Sequence, residues 1–191
     1  MIIAFEGLDN SGKTTQAEII QSYLTSYGKS AILSRELTTD VGILLKSSFN
    51  EKPYSALVKS YLFAADRQIR IEEIQLHKNY QNSIIIFDRY KHSAIAYRES
   101  EGLDANWISI INKYVLPYDV GIYIDITPEE SIRRNNDRKK NIHYDINQLR
   151  HIRDIYSHYV SEGELKLING MLSINEITKQ IINYIEGFIS G

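Results

Sequence analysis

Five short runs of apolar, mostly β-branched residues constrain this chain more than any other feature: residues 2–5, 30–34, 83–87, 120–126 and 165–168. Most are continuous rather than alternating, the pattern of parallel strands buried on both faces. The stretches between them carry apolar residues at three- and four-residue steps. Residues 14–27 place Ala17, Ile20 and Leu24 this way, residues 57–77 place Tyr61, Ala64, Ala65, Ile69 and Ile74, and residues 174–188 place Ile177, Ile181 and Ile185. Thr127 before Pro128 reads as an N-cap followed by proline at the first helical position. Strands alternating with helical crossovers of a dozen residues or more predict a five-stranded parallel sheet wrapped by helices, an α/β fold. The 191 residues suit one domain covering 1–191.

Composition narrows the function classes. There is no cysteine, so disulfides, thiol catalysis and cysteine-ligated metals are excluded. With 22 Lys+Arg against 24 Asp+Glu the net charge is −2, which argues against a nucleic-acid polymer as partner. It leaves small polyanions open, because a few placed cations suffice to hold a phosphate. No stretch approaches the ~20 apolar residues of a membrane span. The start, Met-Ile-Ile-Ala-Phe-Glu-Gly, lacks the basic and apolar regions of a secretory signal, so the expected location is the cytoplasm.

Gly7-Leu8-Asp9-Asn10-Ser11-Gly12-Lys13-Thr14 fits G-x-x-x-x-G-K-[ST], with a buried strand before it and an amphipathic helix after it. The glycines let the backbone curl so that its N–H groups converge on phosphate oxygens, and the following helix adds its positive end. In this arrangement Lys13 reaches the β- and γ-phosphates and Thr14 offers its hydroxyl to Mg²⁺. The motif reads as a binder of a magnesium-bound nucleotide and leaves the reaction open. A guanine-reading N-K-x-D is missing: Asn112-Lys113 runs into Tyr114-Val115. A small phosphotransferase needs arginines outside the phosphate loop and a lid against water. Asp88-Arg89-Tyr90 ends the third apolar run and Arg35-Glu36 ends the second, both at the sheet edge where such folds bind ligands. Phe63 and Arg67 are four residues apart on one helical face, suited to a base and its phosphate. Equally, Phe63 suits a core position, and Asp66 with Arg70 suits an i,i+4 ion pair. The polar, basic run 133–140 reads as a mobile excursion or as a solvated helix end whose cations complement the helix dipole.

Taken together, these residues resemble the thymidylate kinase family over nearly the whole chain. The resemblance is carried by Phe5-Glu6-Gly7-Leu8-Asp9 running into Ser11-Gly12-Lys13-Thr14-Thr15, by Arg35-Glu36, and by Leu62-Phe63-Ala64-Ala65-Asp66-Arg67. It is carried further by Asp88-Arg89-Tyr90 with Ser93, Ala96 and Tyr97, and by Pro117-Tyr118-Asp119 before the fourth strand. It implies a P-loop NTPase fold, a three-layer α/β/α sandwich with a short basic lid around 134–145. It implies transfer of the γ-phosphate of ATP to thymidine monophosphate, with ATP and Mg²⁺ as cofactors and a homodimer as the assembly. Other readings are a kinase for another nucleoside monophosphate or a deoxynucleoside, and a non-catalytic P-loop nucleotide-binding protein.

Carried over residue by residue, the resemblance assigns catalysis to Lys13, Arg89, Arg138 and Asp9. Gly7, Asn10, Ser11, Gly12, Lys13, Thr14, Thr15 and Arg134 bind ATP, with Arg134 on the adenine side. Asp9, Arg35, Phe63, Arg67, Arg89, Ser93 and Tyr97 bind thymidine monophosphate. Within that set Asp9 meets the 3′-hydroxyl, Phe63 stacks on the base, Arg67 and Arg89 hold the phosphate, and Tyr97 lies under the sugar. Thr14 and Asp88 are the metal residues. Asn10 stands where some members carry the catalytic arginine, so the basic 133–140 segment is the expected source, with Arg138 the first choice. The sequence departs from the family at Leu37, in place of a proline, at Thr38-Thr39, in place of glycines, and at Ala94 and Arg98, where polar uncharged residues are usual near the base.

Overall fold

The computed structural model describes residues 1–49, 53–137 and 145–189. In chain order the elements are β1 (Ile2–Glu6), α1 (Lys13–Ser26), β2 (Ala31–Arg35), α2 (Asp40–Ser48), α3 (Ala56–Gln75), β3 (Ile84–Asp88), α4 (Lys91–Glu99), α5 (Ala105–Ile111), β4 (Val120–Asp125), α6 (Pro128–Asp137), α7 (Ile146–Ser161), β5 (Lys166–Asn169) and α8 (Ile174–Ile189). All five expected strands form. They pair in parallel in the order β2-β3-β1-β4-β5, so the phosphate loop leaves the central strand.

The strand period of two sorts the apolar runs onto two faces. Ile3 and Phe5 of β1, Ile86 of β3 and Ile122 and Ile124 of β4 pack with Ala17, Ile20 and Leu24 of α1 and Ile177, Ile181 and Ile185 of α8. Ile2 and Ala4 of β1 and Ile85 and Phe87 of β3 face the other way, against Ile71 and Ile74 of α3. Beside them Tyr123 of β4 packs with Leu149, Ile152 and Tyr156 of α7 and with Tyr97 of α4. Ile181 and Ile185 are fully buried, and each such side chain contributes about 1.5–3 kcal/mol by leaving water.

Three strands extend further than their apolar runs. Pairing continues to Glu6, Arg35 and Asp88, whose polar side chains hide the strand end from a hydrophobicity reading. Thr127 caps α6 as expected, its hydroxyl accepting from Glu130 N at 3.2 Å. The Asp66–Arg70 ion pair also forms, Nε to Oδ2 at 3.1 Å, with both side chains buried. Asp66 further accepts from Leu37 N at 3.1 Å and from the Thr39 hydroxyl at 2.8 Å, which ties α3 to the start of α2. Of the expected lid, residues 134–137 form the last turn of α6, and 138–144 lie outside the described residues. Among the described residues no helix is long and apolar enough to cross a membrane.

Candidate active site

The phosphate loop joins β1 to α1 through left-handed backbone that its sequence makes affordable. Gly7 has φ 143°, and a Cβ there would stand 2.6 Å from the Ile124 carbonyl, so only glycine fits. Gly12, φ 101°, caps α1. Asn10 holds φ 63° without glycine's freedom, at a cost of roughly 1–2 kcal/mol that neighbours must offset. Helix α6 supplies those neighbours. The Ser131 hydroxyl donates to Asp9 O at 2.7 Å, and Arg134 donates to Asn10 O at 3.2 Å while Glu130 holds it at 2.6 Å.

Lys13 is buried, donating to Leu8 O at 2.6 Å and to the Ser11 hydroxyl at 3.3 Å. Burial, with help from the nearby Arg89 charge, pulls its pKa down to about 7 against the opposing pull of Asp9, Asp88 and Glu6. Thr14 donates its hydroxyl to Asp88 Oδ2 at 2.5 Å, bringing the two expected metal residues together at the end of β3.

Arg89 follows β3 with φ 70° and is held by several partners at once. It donates to Asp9 Oδ1 at 2.5 Å, Ser93 Oγ at 3.1 Å, Tyr97 Oη at 3.2 Å and Gly7 O at 3.3 Å, and its guanidinium lies 4.9 Å from the Tyr97 ring centre. Such over-determination is what keeps a strained backbone in place. Behind it stands Glu6, fully buried at the end of β1. Its carboxylate accepts from Tyr90 N and His92 N, both at 3.1 Å, and from the Ser93 hydroxyl. Helix α4 has no cap from its own N-cap side chain, so Glu6 does that work from another strand.

A cavity of about 420 Å³ opens beside the loop. Two polar clusters line it. One is Asp9, Glu36, Arg89 and Ser93; the other is Lys59, Arg98 and Glu101. Each sets an arginine over an aromatic ring, Arg89 over Tyr97 and Arg98 over Phe63, the latter at 5.4 Å. Burial pushes the Glu36 carboxyl up, against the pull of Arg67 and Arg89. A second cavity of about 320 Å³ lies across the loop, lined by Asn10, Ser11, Gly12, Thr15, Arg134 and the Gly170–Ile177 side.

The structure thus brings Asp9, Phe63, Arg89, Ser93 and Tyr97 to one cavity and Asn10, Ser11, Gly12, Thr15 and Arg134 to the other. It does not bring Arg35 to either. Successive residues of β2 point to opposite faces: Ser34 meets Arg70, Glu36 beyond the strand meets Arg67, and Arg35 turns to the α1 face and pairs with Glu18 in solvent. Nor does Arg67 reach the cavity wall. It is fully buried behind it, donating to Asn112 Oδ1 at 2.5 Å and Glu36 Oε1 at 3.1 Å, because its turn of α3 faces the sheet. Arg138 lies outside the described residues. Sequence reasoning missed Glu6, Lys59, Glu101, Asn112 and Gln148. A carboxylate closing an apolar run just before the loop was a signal for Glu6, and the i,i+3 spacing to Arg98 was one for Glu101. Nothing local marks Asn112 or Gln148, which reach the cavity from α5's end and α7.

The chain is similar to known proteins over almost its whole length. The family model described as thymidylate kinase matches residues 5–181. A probable thymidylate kinase of Methanococcus aeolicus is 35% identical over 181 residues, covering 94% of this chain and 89% of the relative. Probable thymidylate kinase 1 of Saccharolobus solfataricus is 33% identical over 188 residues, covering 97% and 96%. The probable thymidylate kinase of Pyrococcus horikoshii is 30% identical over 199 residues, covering 99% and 97%. With the motifs spread over the whole sheet edge and the match running almost end to end, the chain belongs to the thymidylate kinase family.

Proposed function

We propose that this protein transfers the γ-phosphoryl group of ATP to thymidine monophosphate, forming ADP and thymidine diphosphate. The observation that carries the reading is that two cavities meet across one loop: Asp9 lines one, and the next three residues, Asn10, Ser11 and Gly12, line the other. The donor's phosphates lie along the N–H groups of the 7–15 loop with Lys13, and its adenine lies on the Arg134 side. The acceptor lies in the larger cavity. An acceptor phosphate oxygen forms the new bond to the γ-phosphorus. The bond from that phosphorus to the β,γ-bridging oxygen breaks, and its electron pair leaves with ADP. The protein supplies in-line placement and charge neutralisation. Arg89, touching both the Gly7 carbonyl and the acceptor cavity, holds the acceptor phosphate. Asp9 and Tyr97 take the sugar, Phe63 the base, and Ser93 keeps Arg89 in position. Arg67 acts from behind, by fixing Glu36 and Asn112. Arg35 has no part.

Mg²⁺ fits Thr14 and Asp88. A hydroxyl and a carboxylate 2.5 Å apart are hard oxygen donors, and Mg²⁺ at nucleotide sites takes only one or two protein ligands beside phosphates and water. When bound it neutralises phosphate charge. Arg138, placed by sequence alone, is the arginine for the transferring phosphoryl group; Arg138→Ala is expected to lower kcat while leaving the unfolding midpoint unchanged. Two copies pair as a homodimer, a reading supported by exposed Ile43, Leu44, Leu57, Val58 and Tyr61 on α2 and α3; light scattering on the purified chain tests it. For the reaction, a coupled ADP-release assay across ribo- and deoxyribonucleoside monophosphates decides. Release with thymidine monophosphate is expected, and release with no monophosphate overturns the reading.

A further inference from the structure

Beneath the start of α4 lies a buried histidine that the transfer just described does not use. His92 is the second residue of that helix, and its ring is fully out of water. Its backbone N–H donates to Glu6 Oε1, and the same carboxylate holds Ser93 and, through Ser93, Arg89. The ring stands between two carboxylates. Nε2 is 3.1 Å from Oε2 of Glu164, a partly exposed residue between α7 and β5. Nδ1 is 3.8 Å from Glu6 Oε1 and has no hydrogen-bond partner among the described residues. A buried polar atom left without a partner is uncommon and asks for a reason.

The protonation state follows from those partners. A carboxylate only accepts, so the single proton of a neutral ring lies on Nε2, against Glu164, and the nitrogen nearer Glu6 carries a lone pair. Three further titratable groups surround the ring. Lys91 of α4 has its Nζ 3.5 Å from Glu164 Oε2, Tyr118 precedes β4, and Tyr159 of α7 packs edge-on at 4.3 Å. Burial pushes both tyrosine hydroxyls up, so they stay neutral. Burial, with Lys91, pulls the imidazole down against the opposing pull of Glu6 and Glu164. The ring is therefore neutral at neutral pH and gains its charge on acidification. The imidazolium carries a second N–H, on Nδ1, where Glu6 is the nearest carboxylate.

We propose that His92 is a positioning residue of the acceptor site: while neutral it leaves Glu6 committed to Ser93 and so to Arg89, and once protonated it draws Glu6 toward Nδ1 and loosens Arg89. Closing 3.8 Å to hydrogen-bond distance moves the carboxylate toward the Oε1 side, where the Tyr90 and His92 N–H groups already donate. The same movement carries Oε2 away from the Ser93 and Tyr156 hydroxyls. Arg89 keeps Asp9 and Tyr97, so its hold weakens without being lost. The chemistry is one proton taken from solvent by Nδ1. This rests on the reading of Arg89 as the residue that holds the acceptor phosphate, and adds what fixes its position from behind.

The test measures KM for thymidine monophosphate and for ATP from about pH 8 down to about pH 5 in the wild type, His92→Phe and Glu164→Gln, with the His92 ring followed by NMR. The acceptor's own phosphate titrates at about pH 6 and is common to all three proteins, so the readout is the ratio of wild type to variant at each pH. At the alkaline end the acceptor KM of His92→Phe should match the wild type. At the acid end the wild-type value should exceed it by roughly three- to tenfold, the worth of one weakened hydrogen bond. The ratio for ATP should stay level throughout. Glu164→Gln removes a charge that favours the imidazolium, so it should move the ring titration and the rise in acceptor KM together to lower pH. A ring that only fills space would do neither. Superposable acceptor profiles in the wild type and His92→Phe, or a rise that Glu164→Gln leaves in place, would overturn the inference. Should His92→Phe fail to fold, Glu164→Gln, changed at a partly exposed residue, decides by the direction of the shift. If the wild type turns over no monophosphate, the kinase reading falls and this inference with it; if it turns over thymidine monophosphate and the profiles superpose, only the role of His92 falls.

Discussion

The phosphate loop and the proposed acceptor cavity meet at Asp9 and are built by opposite means. The loop is made of consecutive residues, and much of its chemistry is backbone: Gly7 at φ 143°, Asn10 at 63° and Gly12 at 101° aim its N–H groups. The cavity is made of side chains from Asp9 through Glu36, Phe63, Arg98 and Asn112 to Gln148. A backbone site admits almost no exchange, as the 2.6 Å approach of a Gly7 Cβ to Ile124 O shows. A side-chain site can be retuned one residue at a time. Transfer and acceptor choice are therefore expected to be separable by mutation.

The largest expected effect tests the loop. Lys13→Ala should lower kcat by roughly 10³-fold, the scale for removing a charge aimed at the transition state. The loss should be the same for every accepted monophosphate, and steady-state kinetics with two acceptors would expose any dependence that breaks the separation.

Glu6 joins the two regions, since it holds α4 and, through Ser93, Arg89. Glu6→Ala takes the acceptor from four buried donors, the Tyr90 and His92 N–H groups and the Ser93 and Tyr156 hydroxyls, and should cost about 3 kcal/mol in denaturant unfolding. Glu6→Gln keeps an acceptor in place and should lose less stability, yet still raise KM for the acceptor. An unchanged acceptor KM in Glu6→Gln would show that Arg89 holds its place without the carboxylate.

The loop also carries a pH signature of its own. Burial leaves Lys13 at about 7, so it is mostly neutral at pH 8 and mostly charged at pH 6. Bound phosphates favour the ammonium. ATP binding at pH 8 should take up close to one proton, uptake should vanish toward pH 6, and affinity should weaken as pH rises above 7. Calorimetry in two buffers of different ionisation heat reads the uptake, and Lys13→Met should abolish it.

The smallest effect is expected at Arg35. Its pairing with Glu18 is half exposed, 45% and 50%, and such pairs contribute little. Arg35→Ala should leave acceptor KM within about twofold and stability within about 0.5 kcal/mol. A large rise in acceptor KM would bring Arg35 back into the site.

Much of the architecture was legible because it follows short-range rules. The five apolar runs marked five strands, the Gly7–Thr14 string marked the loop, and Thr127-Pro128 marked the start of α6. Strand ends were less legible, since Glu6, Arg35 and Asp88 close their strands with polar side chains: Glu6 is buried under the start of α4, Asp88 meets Thr14 and Arg35 pairs with Glu18. Arg35 and Arg67 show the limit for side chains. Both stand beside residues that reach the cavity, Glu36 and Phe63, and neither reaches it.

By itself the sequence determined the strand count, the phosphate loop and the residue types available at the sheet edge, because periodicity and turn chemistry act over a few neighbouring residues. Only the tertiary structure decided which of those side chains meet. The alternation of β2 sent Arg35 to the α1 face and Glu36 to the cavity. Packing of α3 on the sheet buried Arg67, and α7 carried Gln148 to the wall that Arg98 shares. Direction along a strand or around a helix is local, but what stands opposite is set by the packing of elements far apart in the chain.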